Sequence, residues 1–104
     1  VSFHGPAVLG INWYRGMSNP DLSISARDHL TYGFLNVTGP IVGGHAILVR
    51  AVSIKRQAVL LHNSWGPGWG ANGTAWLRFA DLDRLLAEDG ECCVPVRRAR
   101  GEIN

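Results

Sequence analysis

Two apolar, β-branched runs, residues 43–53 and 57–65, stand only a few polar residues apart, and they restrict this chain more than any other feature. Runs of that length and composition read as buried strands, and so short a connection joins them as an antiparallel hairpin with its turn near Ile54. A hairpin centred there sets His45 opposite Asn63, Ile47 opposite Leu61 and Val49 opposite Val59. Two polar side chains eighteen residues apart in sequence are thereby expected to meet on one face. The turn carries no Asn-Gly signal, so its sequence does not fix the register.

The remainder reads as further strands and one helix. Ala7 to Tyr14 is an apolar run of strand length opened by Gly5-Pro6. Residues 15–29, rich in Ser, Asn, Asp and Pro, read as a loop, and Leu30 to Val37 as a short irregular strand ended by Thr38-Gly39-Pro40. Pro67, Gly68, Gly70 and Gly73 mark a tight loop before a strand over Thr74 to Phe79. Asp81 is expected to cap a short helix with Leu82, Leu85 and Leu86 on one face and Gly90 at its stop. Cys92 to Val96 reads as a last strand, followed by a basic tail at 97–104. Residues 1–104 thus form one α+β domain, β-rich, with a curved antiparallel sheet or partial barrel and one short helix.

With 46% apolar and 17% charged residues the chain is globular. A net charge of +2 gives no argument for nucleic acid or a membrane surface, and no apolar run reaches the roughly 18 residues of a membrane span. Arg97, Arg98 and Arg100 read as a solvated tail. Nine Arg against one Lys, with much Ala and Gly, suggest a GC-rich bacterial or phage genome. Adjacent Cys92 and Cys93 make no disulfide framework; a vicinal disulfide and two reduced thiols are both open, and the compartment is not legible. Neither His4 nor His29 has metal-ligand spacing to another His, Cys or carboxylate, so no metal and no cofactor is expected. His62 neighbours Asn63 and should point to the opposite face.

A His beside an Asn has a definite chemical use. A thiol nucleophile requires a base, and the base requires a group that holds its second ring nitrogen in one tautomer. Gly44-His45-Ala46, then Asn63-Ser64-Trp65-Gly66-Pro67-Gly68-Trp69-Gly70, then Asn72-Gly73 before an apolar strand with Trp76, resemble the second domain of papain-like cysteine peptidases. Gly5-Pro6-Ala7-Val8 is similar to the segment that opens that domain. The resemblance runs from about Gly5 to about Val96, with residues 15–40 matching poorly. It implies that His45 is the general base and Asn63 its orienter. Trp65 takes the place of the indole that shields their contact, Trp69 that of the indole bordering the leaving-group side, and Gly44 that of a backbone contact to substrate.

No segment here matches the family's first domain, which supplies the nucleophilic Cys and the oxyanion Gln. Cys92 and Cys93 lie downstream of His45, and nothing in the pattern aims them at it. Two functions follow. One is a papain-like pseudoenzyme, a truncated, non-catalytic protein-binding module, favoured if these residues are the whole product. The alternative is the His/Asn-bearing portion of a cysteine peptidase, a hydrolase whose Cys lies in an N-terminal domain or a partner chain. Val1 in place of Met is compatible with Met removal, a trimmed chain or a processed precursor. Either way the expected partners are proteins or peptides, including a second copy bound through the face on which the first domain would pack.

Overall fold

The computed structural model of the chain describes residues 6–93. His4, the Gly5 of the opening motif, Val94–Val96 and the basic tail at 97–104 lie outside them. Among the described residues seven strands form one sheet: β1 (Ala7–Tyr14), β2 (Asp21–Ile24), β3 (Thr31–Phe34), β4 (Ile41–Ser53), β5 (Ala58–His62), β6 (Thr74–Arg78) and β7 (Glu91–Cys93). They lie side by side in the order β2-β3-β6-β5-β4-β1-β7. Among the described residues one α-helix, α1 (Phe79–Ala87), follows β6, and a 3-10 turn (Arg15–Ser18) follows β1. The α+β, β-rich class expected from sequence holds.

The sheet is mixed rather than wholly antiparallel, because β3 joins β6 in parallel through Phe34 opposite Trp76. The cause is the crossing segment between β3 and β4. Residues 35–40 carry the chain over the core to the other side of the sheet without reversing its direction. Leu35 and Val37 are buried within that segment. A buried connection must satisfy its backbone polar groups. Here Leu35 N–H donates to the Trp76 carbonyl at 2.9 Å, and the carbonyls of Thr38 and Pro40 accept from Gly16 and Arg15 N–H. Arg78 and Arg84 donate to the carbonyls of Leu35 and Val37 at 3.2 and 3.1 Å.

Alternation sets the core. Leu9, Ile11 and Trp13 of β1, Ile47 and Val49 of β4, Leu61 of β5, and Ala75 and Leu77 of β6 all turn inward and are buried. α1 covers them with Leu85, while Leu82 and Leu86 pack alongside, as their spacing anticipated. The start of α1 differs from expectation. β6 runs into the helix with no linker, so Arg78 is the N-cap residue and Asp81 falls in the first turn, where its charge still suits the helix dipole. The Phe79 N–H is satisfied by the Gln57 carbonyl at 2.8 Å instead of by a capping side chain. At the other end Asp89 takes the left-handed conformation (φ 70°) and Gly90 N–H donates to the Leu85 carbonyl at 3.1 Å. A Cβ on Gly90 would sit 2.5 Å from that carbonyl oxygen, so close approach is what demands glycine there.

The β4–β5 hairpin forms, but in another register. Val49 faces Leu61 and Leu48 faces His62, two residues off the expected pairing. The turn occupies Ile54–Gln57, with Gln57 N–H donating to the Ile54 carbonyl at 3.2 Å and Gln57 itself at φ 53°. The ladder also breaks between Val49 and Ala51, leaving Arg50 as an extra residue. The shift is two residues on the His45 side of this bulge and three on the turn side; an even shift keeps the side chains near His45 on their face, whereas a shift of one would have reversed them. β5 ends at His62, so Asn63, Ser64 and Trp65 leave the strand that the sequence suggested for them. Residues 15–29 hold the 3-10 turn and β2 rather than only loop.

Candidate functional site

His45 lies on the inward face of β4, opposite Ile11 of β1. Asn63 follows directly on β5, anchored by its N–H to the Gly73 carbonyl at 2.9 Å. In the observed register the two residues are diagonal rather than opposed, yet they meet. His45 Nε2 lies 2.9 Å from Asn63 Oδ1. Ser64 N–H also donates to that Oδ1, at 2.8 Å, which fixes the carbonyl end of the amide toward both groups. An amide oxygen only accepts, so Nε2 donates and carries the proton in the neutral ring. The lone pair is then on Nδ1, the form a general base requires. Asn63 is buried (4% exposed), and its Nδ2 has no partner among the described residues.

Three indoles surround the pair. Trp65 leans on the imidazole with ring centres 5.0 Å apart and is half exposed. Trp13 meets the imidazole edge to face at 4.7 Å and is buried. Trp69 is buried too, 6.1 Å from Trp13 and 6.2 Å from Trp65, and its Nε1–H donates to the Met17 carbonyl at 3.3 Å. Trp69 thus braces the other two indoles and lines neither cleft at His45. The loop that carries these residues turns at Gly70 (φ 58°), where a Cβ would collide with the Thr74 carbonyl oxygen.

Two open clefts border His45. The larger, about 430 Å³, runs along Gly10–Asn12 and Gly44–Ala46 to Glu88, Asp89 and Glu91. The smaller, about 200 Å³, lies between Trp13, Ser18, Val42 and Trp65. Gly44 borders both, and a Cβ there would meet nothing within 4 Å, so the backbone beside His45 is open to a ligand. Val42 and Trp65, which line the smaller cleft, expose about half their surface.

The rim of the larger cleft is tied to β1 through Glu88. The Tyr14 hydroxyl donates to Glu88 Oε2 at 2.7 Å, and Arg84 Nε approaches the same oxygen at 3.4 Å. The Arg84 guanidinium also lies over the Tyr14 ring, 4.8 Å from its centre. These contacts, the Tyr14 hydroxyl foremost, hold the Glu88 carboxyl below its ordinary value of 4.5. A depressed folded-state pKa contributes stability that is present above 4.5 and lost as pH falls through the lower folded value. Glu88→Gln should therefore lower stability at neutral pH and flatten the acid limb, so that the two proteins differ least at the lowest pH. Urea midpoints of both proteins measured from pH 6 downward check this, with converging acid-limb curves expected.

Other residues singled out from sequence fall away from the pair. His62 is exposed on the opposite face from Asn63 and packs near Gly73. His29 occupies the turn between β2 and β3 at φ 60°. Cys92 and Cys93 are free and exposed on β7, one strand beyond β1, opposite Leu9 and Val8. Neither lines a cleft with His45. Among the described residues no three His, Cys, Asp or Glu side chains are grouped to hold a metal ion, and no helix is long and apolar enough to cross a membrane.

Trp13 and Glu88 are the site residues that sequence reasoning missed. The alternation Leu9, Ile11, Trp13 was available, but only the non-local pairing of β1 with β4 puts that face beside His45. Comparison with protein-family models and with curated proteins gave no match.

Proposed function

We propose that His45 and Asn63 are the base and orienting partner of a papain-like cysteine peptidase, completed by a thiol from a Cys-bearing segment or partner chain. The observation that carries this reading is the hydrogen bond from His45 Nε2 to Asn63 Oδ1, which leaves Nδ1 unprotonated beside open clefts. In the completed site Nδ1 takes the proton of the incoming thiol, and the thiolate attacks the scissile carbonyl carbon. The imidazolium then gives its Nδ1 proton to the leaving amine as the C–N bond breaks. A water molecule, deprotonated by the same nitrogen, hydrolyses the thioester and restores the thiol. Asn63 keeps the ring in the productive tautomer throughout.

The exposed rim of Val42 and Trp65 supports a protein surface packed over this face. It equally supports the second reading, a non-catalytic protein-binding module, and self-association of the chain through the same face. A nucleophile separates the two. The test is to read the coding sequence upstream of Val1 and express the longer product. Under the peptidase reading an upstream Cys in a Gln-x-x-x-x-x-Cys-Trp-like setting is labelled by a thiol-directed epoxide, and the labelling requires His45. A product with no such Cys, and no thiol-bearing partner on this face, contradicts it in favour of the binding module.

A further inference from the structure

We propose that Trp13 is a positioning residue for His45: its indole, rather than that of Trp65, holds the imidazole in the rotamer from which Nε2 reaches Asn63. Trp13 pairs across the ladder with Gly43, which offers no side chain, while His45 pairs with Ile11. The indole therefore has no directly opposed neighbour and lies diagonally on the imidazole, within reach of aromatic rings on one face. The centres of His45, Trp13 and Trp65 stand at the corners of a nearly equilateral triangle with sides of 4.7, 5.0 and 5.3 Å.

The two indoles differ in what holds them. Trp13 is 3% exposed, its Nε1–H donates to Ser18 Oγ at 3.0 Å, and Trp69 packs against it. The 3-10 turn that carries Ser18 is itself held by buried Met17, whose carbonyl accepts from Trp69. Trp65 is 49% exposed and precedes Gly66 at φ 88°. Trp13 is a fixed wall and Trp65 a cover. Asn63 fixes only the Nε2 end of the ring; rotation about the Cβ–Cγ bond that would swing this end away is opposed by the edge-to-face contact with Trp13. The catalytic consequence rests on His45 being the base, but the positioning does not.

The test uses the isolated chain labelled with nitrogen-15, at about pH 8, where an ordinary imidazole is neutral. The wild-type protein should show His45 as the Nε2–H tautomer alone, with a slowly exchanging Nε2 proton. Trp13→Leu should mix the tautomers and speed exchange of that proton about tenfold, the factor associated with losing one buried hydrogen bond. Trp13→Phe should restore the single tautomer, and Trp65→Leu should keep it. Leu9→Ala removes comparable core from the same strand and should also keep it, which separates positioning from general loosening. An unchanged tautomer and exchange rate in Trp13→Leu, or the same change in Leu9→Ala, overturns the proposal. These readouts require neither thiol nor substrate, so they stand or fall independently of the peptidase reading.

Discussion

On the peptidase reading, replacing His45 by Ala in a protein completed by a Cys-bearing segment should lower kcat/KM by about 10²–10⁴-fold, the range typical of a positioned base. Without the imidazole no group holds the incoming thiol as thiolate or protonates the leaving amine. The loss should appear mainly in kcat, because the clefts beside His45 stay lined by Gly44, Trp13 and Trp65. His45 is only partly buried, so the variant should keep its fold, and its urea midpoint serves as the control. Asn63→Ala should cost less in rate and more in stability. It leaves the imidazole chemically intact but removes a buried side chain whose Oδ1 satisfies both Nε2–H and Ser64 N–H. Unchanged kcat/KM in the His45 variant would mean that His45 is not the base.

The largest stability loss should come from Leu61→Ala. Leu61 is fully buried on β5, between Val49 of β4 and Ala75 of β6, in the sheet that holds Asn63 against His45. Truncating such a leucine costs about 2–5 kcal/mol, from lost burial and from the cavity left behind. Domains of this size have about 5–15 kcal/mol in total, so the variant should be close to the limit of folding. Leu22→Ala, on the exposed strand β2, should change stability by no more than about 0.5 kcal/mol. Urea unfolding monitored by tryptophan fluorescence measures both. Equal effects at the two positions would mean that the inward face is not packed as described.

Local patterning explains how much of this was legible. β1 coincides with the apolar run Ala7–Tyr14, and the hairpin of β4 and β5 was visible in two β-branched runs. The leucines of α1 followed from helical spacing. β2 escaped notice because all four of its residues are exposed and its flanks carry Asn, Pro and Ser. Helix capping at Asp81 failed because a tertiary contact, Phe79 N–H to the Gln57 carbonyl, replaces the side-chain cap. The meeting of His45 with Asn63 was anticipated, although the register was off by two, since an even shift preserves the face. Trp13 was out of reach, because the pairing of β1 with β4 is a long-range property that no local pattern encodes.

On the proposed reading, the described residues hold a base and its orienter without a nucleophile of their own. Acyl transfer to a thiol requires that thiol within about 3–4 Å of the base and donors aimed at the oxyanion. Cys92 and Cys93 sit on β7, outside both clefts that border His45. The most direct test incubates the purified chain with generic peptide substrates and with a thiol-directed epoxide. The expected result is no turnover and no labelling that depends on His45. Turnover that disappears in His45→Ala, or epoxide labelling of Cys92 or Cys93 that requires His45, would contradict it.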